Sequence, residues 1–260
     1  MTEEITSAQN PRIKQLLALQ EKSRLRRESG LFVVEGRREL GHCIDAGHEL
    51  DTVFFCEDLA PFDEKWNGAK IVRISKEVYS KVAYRESTEG VIAEVKVKKS
   101  RTLEDLTLKD NPLIVVLEGV EKPGNLGAVL RSADAAGVDA VLLCEMPTDL
   151  YNPNLIRASL GAIFTVPCVE CDSQEAIDFL RAHGIRILTA QLQDSKWYYD
   201  CPMTGGTAIV IGTESTGLSG IWRTAADAHI KIPMLGALDS LNASVSAAIL
   251  MYEAIRQRNG

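Results

Sequence analysis

The residues best equipped for chemistry fall in three loops, each small, polar and turn-forming, each where an apolar run gives way to a helix. In the last, Ile230-Lys231-Ile232-Pro233-Met234 runs into Leu235-Gly236-Ala237-Leu238-Asp239 and then Ser240-Leu241-Asn242-Ala243-Ser244. Free backbone N–H groups and short side chains converge at such a junction and can hold a ligand. An ordinary loop with a serine cap uses the same residue types. A second loop, Gly212-Thr213-Glu214-Ser215-Thr216-Gly217, follows the apolar run Ala208-Ile209-Val210-Ile211. Two such loops after adjacent strands imply a shared crevice. The third, from Glu118 to Gly127, contributes Asn125, and six residues further on stands Arg131. A guanidinium there suits a phosphate or carboxylate through its bidentate fork, unless Arg131 is simply a surface helix arginine.

Spacing excludes several familiar sites. Gly124 and Gly127 give G-x-x-G without a leading G-x-G, and no acidic residue closes the second strand as a ribose ligand, so a dinucleotide fold is not indicated. Gly212 to Gly217 imitates a phosphate-binding G-x-x-x-x-G, but Leu218 stands where a lysine must reach the phosphates. His42, His48, His183 and His229 form no HExxH or other metal spacing, and Cys168 and Cys171 are a lone CxxC without a second pair. No metal is expected, and the cysteines read as reduced structural thiols.

The elements that must position these loops alternate regularly in the second half. Strands are expected at Leu113 to Leu117, Ala140 to Cys144, Thr165 to Val169, Ile185 to Ala190, Thr207 to Ile211 and His229 to Ile232. Helices are expected at Leu126 to Ala136, Pro153 to Ala162, Gln174 to His183 and Asn242 to Gln257. Solid Val/Ile/Leu strands alternating with helices mean a parallel sheet covered on both faces. Ligands in such sheets sit beyond the carboxyl ends of the strands, where all three loops lie. The first half reads as a smaller α/β domain. Asn10-Pro11 starts a helix that runs into a basic Lys22 to Arg27 turn ending near Gly30, and strands and short helices follow to Val95. The polar stretch from Lys96 through Asn111-Pro112 is the linker. Two domains are expected, 1–105 and 106–260.

A chain of 260 residues is long enough for two real cores. No apolar run approaches the ~20 residues that cross a bilayer, and the acidic start lacks an apolar signal region. The expectation is a soluble cytoplasmic protein. A net charge of −7 argues against indiscriminate coating of nucleic acid. The distribution is uneven, however: between Arg12 and Arg38 basic residues outnumber acidic ones by five. Such a run is either a solvated helix face or a phosphate-binding surface.

Three stretches together resemble, in order and spacing, the three motifs of the SpoU/TrmH-type RNA ribose 2'-O-methyltransferases. They are Asn125-Leu126-Gly127-Ala128-Val129-Leu130-Arg131, Ile211-Gly212-Thr213-Glu214-Ser215-Thr216-Gly217-Leu218, and Ile232-Pro233-Met234 with Ser240-Leu241-Asn242-Ala243-Ser244-Val245. The resemblance covers the chain from about residue 110 to its end. More weakly, Ser7 to Lys14 and Phe32 to Gly36 look like the small ribosomal-protein-like substrate-binding domain of rRNA-modifying members.

The resemblance implies a deep trefoil knot, a topology that no pattern rule suggests because knots are nearly absent from folds. It also implies S-adenosylmethionine as cofactor and a homodimer with its active sites at the subunit interface. Carried over by motif, Gly212, Ile232 and Leu241 hold the cofactor, while Asn125, Arg131, Glu214, Ser240 and Asn242 shape the catalytic pocket. The substrate implied is RNA, rRNA rather than tRNA because of the extra domain, gripped through Arg12, Lys14, Arg24, Arg26, Arg27 and Arg37 with an affinity that falls with salt. The alternatives are a tRNA 2'-O-methyltransferase and a catalytically silent RNA-binding or ribosome-assembly protein on the same fold; Asn125, Arg131, Gly212 and Asn242 being in place speaks against the silent one.

Overall fold

The computed structural model describes residues 3–84 and 89–260. In chain order the strands and helices are β1 (Glu3–Ile5), α1 (Pro11–Glu21), α2 (Ser23–Ser29), β2 (Leu31–Glu35), α3 (Arg37–Asp45), β3 (Leu50–Phe55), β4 (Lys70–Ile74), α4 (Lys76–Val82) and β5 (Val91–Lys96). There follow β6 (Leu113–Glu118), α5 (Pro123–Ala135), β7 (Ala140–Cys144), α6 (Pro153–Ala158), α7 (Ala162–Thr165), β8 (Cys168–Cys171) and α8 (Ser173–Ala182). The chain closes with β9 (Arg186–Ala190), β10 (Lys196–Trp197), β11 (Thr207–Ile211), α9 (Gly220–Ala225), β12 (Ala228–Lys231) and α10 (Ala243–Asn259). Among the described residues no helix is long and apolar enough to cross a membrane.

By contact the chain forms two compact units. One takes the described residues up to Lys99 together with Asp149–Thr165; the other takes Ser100–Thr148 and Val166–Gly260. A division at 105/106 assigns Asp149–Thr165 to the second unit, but this segment packs in the first. There Tyr151 stacks on Phe32 with ring centroids 4.2 Å apart, and Ile156 joins the core.

The first unit is a mixed five-stranded sheet in the order β1-β4-β3-β5-β2. Successive residues of β2 point to opposite faces, so Val33 joins Ile13, Leu16, Phe54 and Val72 on one side, while Phe32 and Val34 join Phe55 and Trp66 on the other. The expected helix start is present: Asn10 accepts a hydrogen bond from the Arg12 N–H and Pro11 opens the first turn. The helix does not run on, however. Lys22 is extended, splitting the segment into α1 and α2, and α2 ends on the left-handed Gly30.

The second unit is a seven-stranded sheet in the order β10-β12-β9-β11-β6-β7-β8, with every neighbouring pair parallel. All residues of β6, β7 and β11 are buried, which is why these strands read as unbroken apolar runs. Two expectations shift. The helix from Pro153 is broken at Leu160 and Gly161, both with positive φ. A Cβ at Gly161 would stand 3.0 Å from the His42 ring and 3.3 Å from the Glu39 Cα, so the turn brings backbone against α3. Thr165, expected in a strand, ends α7, and β8 begins only at Cys168.

Candidate active site

The carboxyl ends of β6, β11 and β12 release the loops 119–122, 212–219 and 232–242, and β11 lies directly beside β6. The middle loop closes on itself. The Thr213 N–H reaches the Gly217 carbonyl at 3.3 Å, Gly217 returns the bond at 3.1 Å, and the Thr216 N–H donates to Thr213 Oγ1 at 3.0 Å. Gly212 sits so tightly against this turn that a Cβ would fall 2.4 Å from the Gly217 carbonyl.

Glu214 is the hub of the site. Its Oε1 accepts from Asn125 Nδ2 at 3.0 Å, from Asn242 Nδ2 at 2.8 Å and from the Ala243 N–H at 3.4 Å, while Oε2 accepts from Lys122 Nζ at 2.8 Å. Asn242 Nδ2 also donates to Asn125 Oδ1 at 3.1 Å. The other end of the Asn242 amide caps α10, accepting from the Ser244 N–H at 3.0 Å. A carboxylate at the N-terminus of a 17-residue helix is favourably placed against the helix dipole. Hydrogen bonds from Lys122 and then from Ala243 hold the Glu214 carboxyl below its usual pKa, and Glu214 in turn raises that of Lys122. Lys122 is therefore a lasting cation rather than a base. Sequence reading passed over it, although it immediately precedes Pro123 at the start of α5.

Beside the hub lies a cavity of about 360 Å³, within the size range of small-molecule sites. Gly212, Ile232 and Leu241, the three expected cofactor residues, all line it, with Leu218, Met234 and Ser240. A smaller cavity of about 180 Å³ adjoins Lys122, Asn125 and Glu214.

The expected pocket residues are thus unequally gathered. Asn125, Glu214 and Asn242 meet; Ser240 is exposed on the cavity rim, its hydroxyl on Asp239 at 3.2 Å. Arg131 is exposed on α5, and no hydrogen bond or ion pair among the described residues joins it to the hub. Its six-residue offset places it ~9 Å along the helix axis from Asn125 and on another face.

In the first unit one expected RNA contact must be corrected. Arg26 is 3% exposed: it pairs with Asp149 at 2.7 Å and donates to the Leu19 carbonyl at 2.5 Å and the Gln20 carbonyl at 3.1 Å. Those carbonyls end α1 and need partners once the helix stops, so Arg26 serves the fold. Lys14 and Arg27 are exposed, Arg24 is exposed against Glu28, Arg37 is exposed 3.7 Å from Asp63, and Arg12 is half-buried beside a cavity shared with Asp51, Lys70 and Glu94.

Residues 112–252 match the model of the SpoU rRNA methylase family, and residues 10–93 match that of the MRM3-like substrate binding domain. The chain belongs to the SpoU rRNA methylase family. Over 196 residues, 74% of this chain and 79% of the relative, it is 36% identical to the 23S rRNA (guanosine-2'-O-)-methyltransferase RlmB of Vibrio vulnificus. It is 37% identical to a crystal structure of an RNA 2'-O ribose methyltransferase, covering 99% of this chain and 100% of that one with a TM-score of 0.86. It is 27% identical to the AdoMet-bound rRNA methyltransferase of Sinorhizobium meliloti, covering 98% of each chain with a TM-score of 0.88. The SpoU match spans all three loops, and the second match spans most of the first unit.

Proposed function

We propose that this SpoU-family chain transfers the methyl group of S-adenosylmethionine to a ribose 2'-hydroxyl of rRNA. The observation that carries the reading is the Glu214 hub against the cavity of Gly212, Ile232 and Leu241. Apolar Leu218, Ile232 and Leu241 suit the cofactor's hydrocarbon and sulfur, and the polar residues Thr213 to Thr216 lining the cavity suit its polar groups. The bound cofactor supplies an electrophilic sulfonium methyl. The chain supplies alignment: Asn125 and Asn242, amides that can only orient, are fixed by Glu214, and Ser240 stands at the rim. Arg131 clamps the neighbouring phosphate and stabilises charge developing on the ribose oxygen, since a guanidinium does not give up its proton in a protein.

Arg131 lies apart from the hub, and a homodimer with active sites at the subunit interface gives it a place there. Leu235, Leu238, Val245 and Tyr252 are exposed, the last two seven residues apart on one face of α10, and offer the apolar surface for it. The trefoil knot is the topology this fold implies, with the 232–242 loop feeding an α10 that packs against α5. The first unit positions rRNA; the S. meliloti rRNA enzyme is matched over both units. The same reading expects no metal and a cytoplasmic protein.

Calorimetric titration of S-adenosylmethionine and S-adenosylhomocysteine into the purified protein tests the reading. Saturable micromolar binding of both supports it; a folded protein that binds neither is a silent RNA-binding member of the fold.

A further inference from the structure

Glu118, the last residue of β6, is 7% exposed, and the five residues before it in the strand are all apolar. Its Oε2 accepts from the Ser219 N–H at 2.8 Å; its Oε1 accepts from Ser219 Oγ at 2.5 Å and from Ser173 Oγ at 3.4 Å. Ser173 Oγ in turn accepts from Nε1 of the fully buried Trp222 at 3.1 Å. Burying a carboxylate is costly unless its lone pairs are filled in this way, and an apolar residue would close the same space more cheaply. The placement is informative. Glu118 immediately precedes the loop that carries Lys122 and leads to Asn125, and Ser219 is the last residue of the loop that carries Glu214. The backbone and side chain of Ser219 are thus both tied to the strand end from which the other loop departs.

We propose that Glu118 is a positioning residue of the cofactor pocket, latching the exit of the 212–218 loop through Ser219 so that the backbone of that loop is held in its binding arrangement. The inference rests on the assignment of S-adenosylmethionine to the cavity lined by Gly212 and Leu218.

The test uses the full chain with Glu118→Ala, Glu118→Gln and Ser219→Ala. Losing these buried hydrogen bonds in Glu118→Ala raises the Kd for S-adenosylmethionine of the folded protein about tenfold to a hundredfold, with kcat falling as well because the same loop carries Glu214, and with KM for RNA nearly unchanged. Glutamine can still accept from the Ser219 N–H and donate to the hydroxyl oxygens, so Glu118→Gln restores most of the affinity. A purely structural stitch would instead lower the folded fraction without moving the cofactor Kd of the protein that remains folded and without this rescue. Trp222 emission reports whether the network is intact. A folded Glu118→Ala protein whose cofactor Kd stays within about twofold of wild type overturns the proposal. If Glu118→Ala does not fold, Ser219→Ala decides in the same way, with a severalfold rise expected and an unchanged Kd contradicting. Failure of the wild-type protein to bind the cofactor would remove the functional reading and this inference together; binding by wild type with no effect of the variants removes only the inference.

Discussion

At the scale of the residue, the pocket depends on one carboxylate held by four donors. Glu214→Ala releases Asn125, Asn242, Lys122 and the Ala243 N–H at once. Misplacing orienting groups by an ångström or so costs about 10²-fold in rate, so single-turnover methyl transfer should fall at least that far while the protein stays folded. The types and spacing of Asn125, Glu214 and Asn242 were legible in the sequence. Their meeting was not, because it spans separations of 89 and 117 residues and is produced by the adjacency of β11 and β6. Charge alone misplaced Arg26, since a basic run does not reveal which member turns inward to Asp149. Glu94 is 5% exposed, and its Oε1 has no hydrogen-bond partner among the described residues. Burial, then the charge of Asp51, pushes its pKa up to about 7, with Arg12 and Lys70 opposing. The unfolded chain loses this proton near 4.5 and the folded chain holds it to about 7. Stability therefore declines as pH rises from about 4.5 to 7, and the full penalty stands above that. Urea unfolding should show Glu94→Gln stabilised by about 1–3 kcal/mol at pH 8 and little changed at pH 5.

At the scale of the element, strands and long helices were readable because burial on both sheet faces leaves unbroken apolar runs, and because Asn10-Pro11 and Asn242 are strong helix starts. Breaks were harder. Lys22 and Leu160 carry no glycine or proline signal of their own; the split at Lys22 is met by Arg26 on the α1 carbonyls, and the split at Leu160 by Gly161 against α3. The tightest constraint lies in the 212–217 loop. Gly212→Ala would put a methyl 2.4 Å from backbone atoms of Gly217 and 2.7 Å from the Leu218 nitrogen, which no side-chain rotation relieves. The variant should keep its circular dichroism and lose cofactor affinity by at least about tenfold, since the loop must open to admit the Cβ; unchanged affinity would mean that this loop does not form the pocket.

At the scale of the whole molecule, the alternation of elements and the polar stretch after Lys96 led to an expectation of two α/β bodies but not of the return of Asp149–Thr165 to the first, because the pattern of a helix does not say which sheet it covers. Nor does any local pattern specify a knot, which is a property of the whole chain path. The proposed dimer can be tested on α10. Val245→Glu with Tyr252→Glu places two charges on its exposed apolar face. In sedimentation the wild type should run as a dimer and the double variant as a monomer at micromolar concentration, with methyl transfer reduced at least about tenfold. A double variant that remains dimeric would place the subunit interface elsewhere.

Ribose methylation is tested chemically. Purified protein, isotopically labelled S-adenosylmethionine and rRNA lacking the modification would be incubated, and the digested RNA analysed by mass spectrometry and by resistance to alkaline cleavage. Label is expected at a single position as a 2'-O-methylated nucleoside whose 3' phosphodiester resists alkali, and none with Glu214→Ala. Label on a base, or none at all from a protein that binds the cofactor, would contradict ribose methylation.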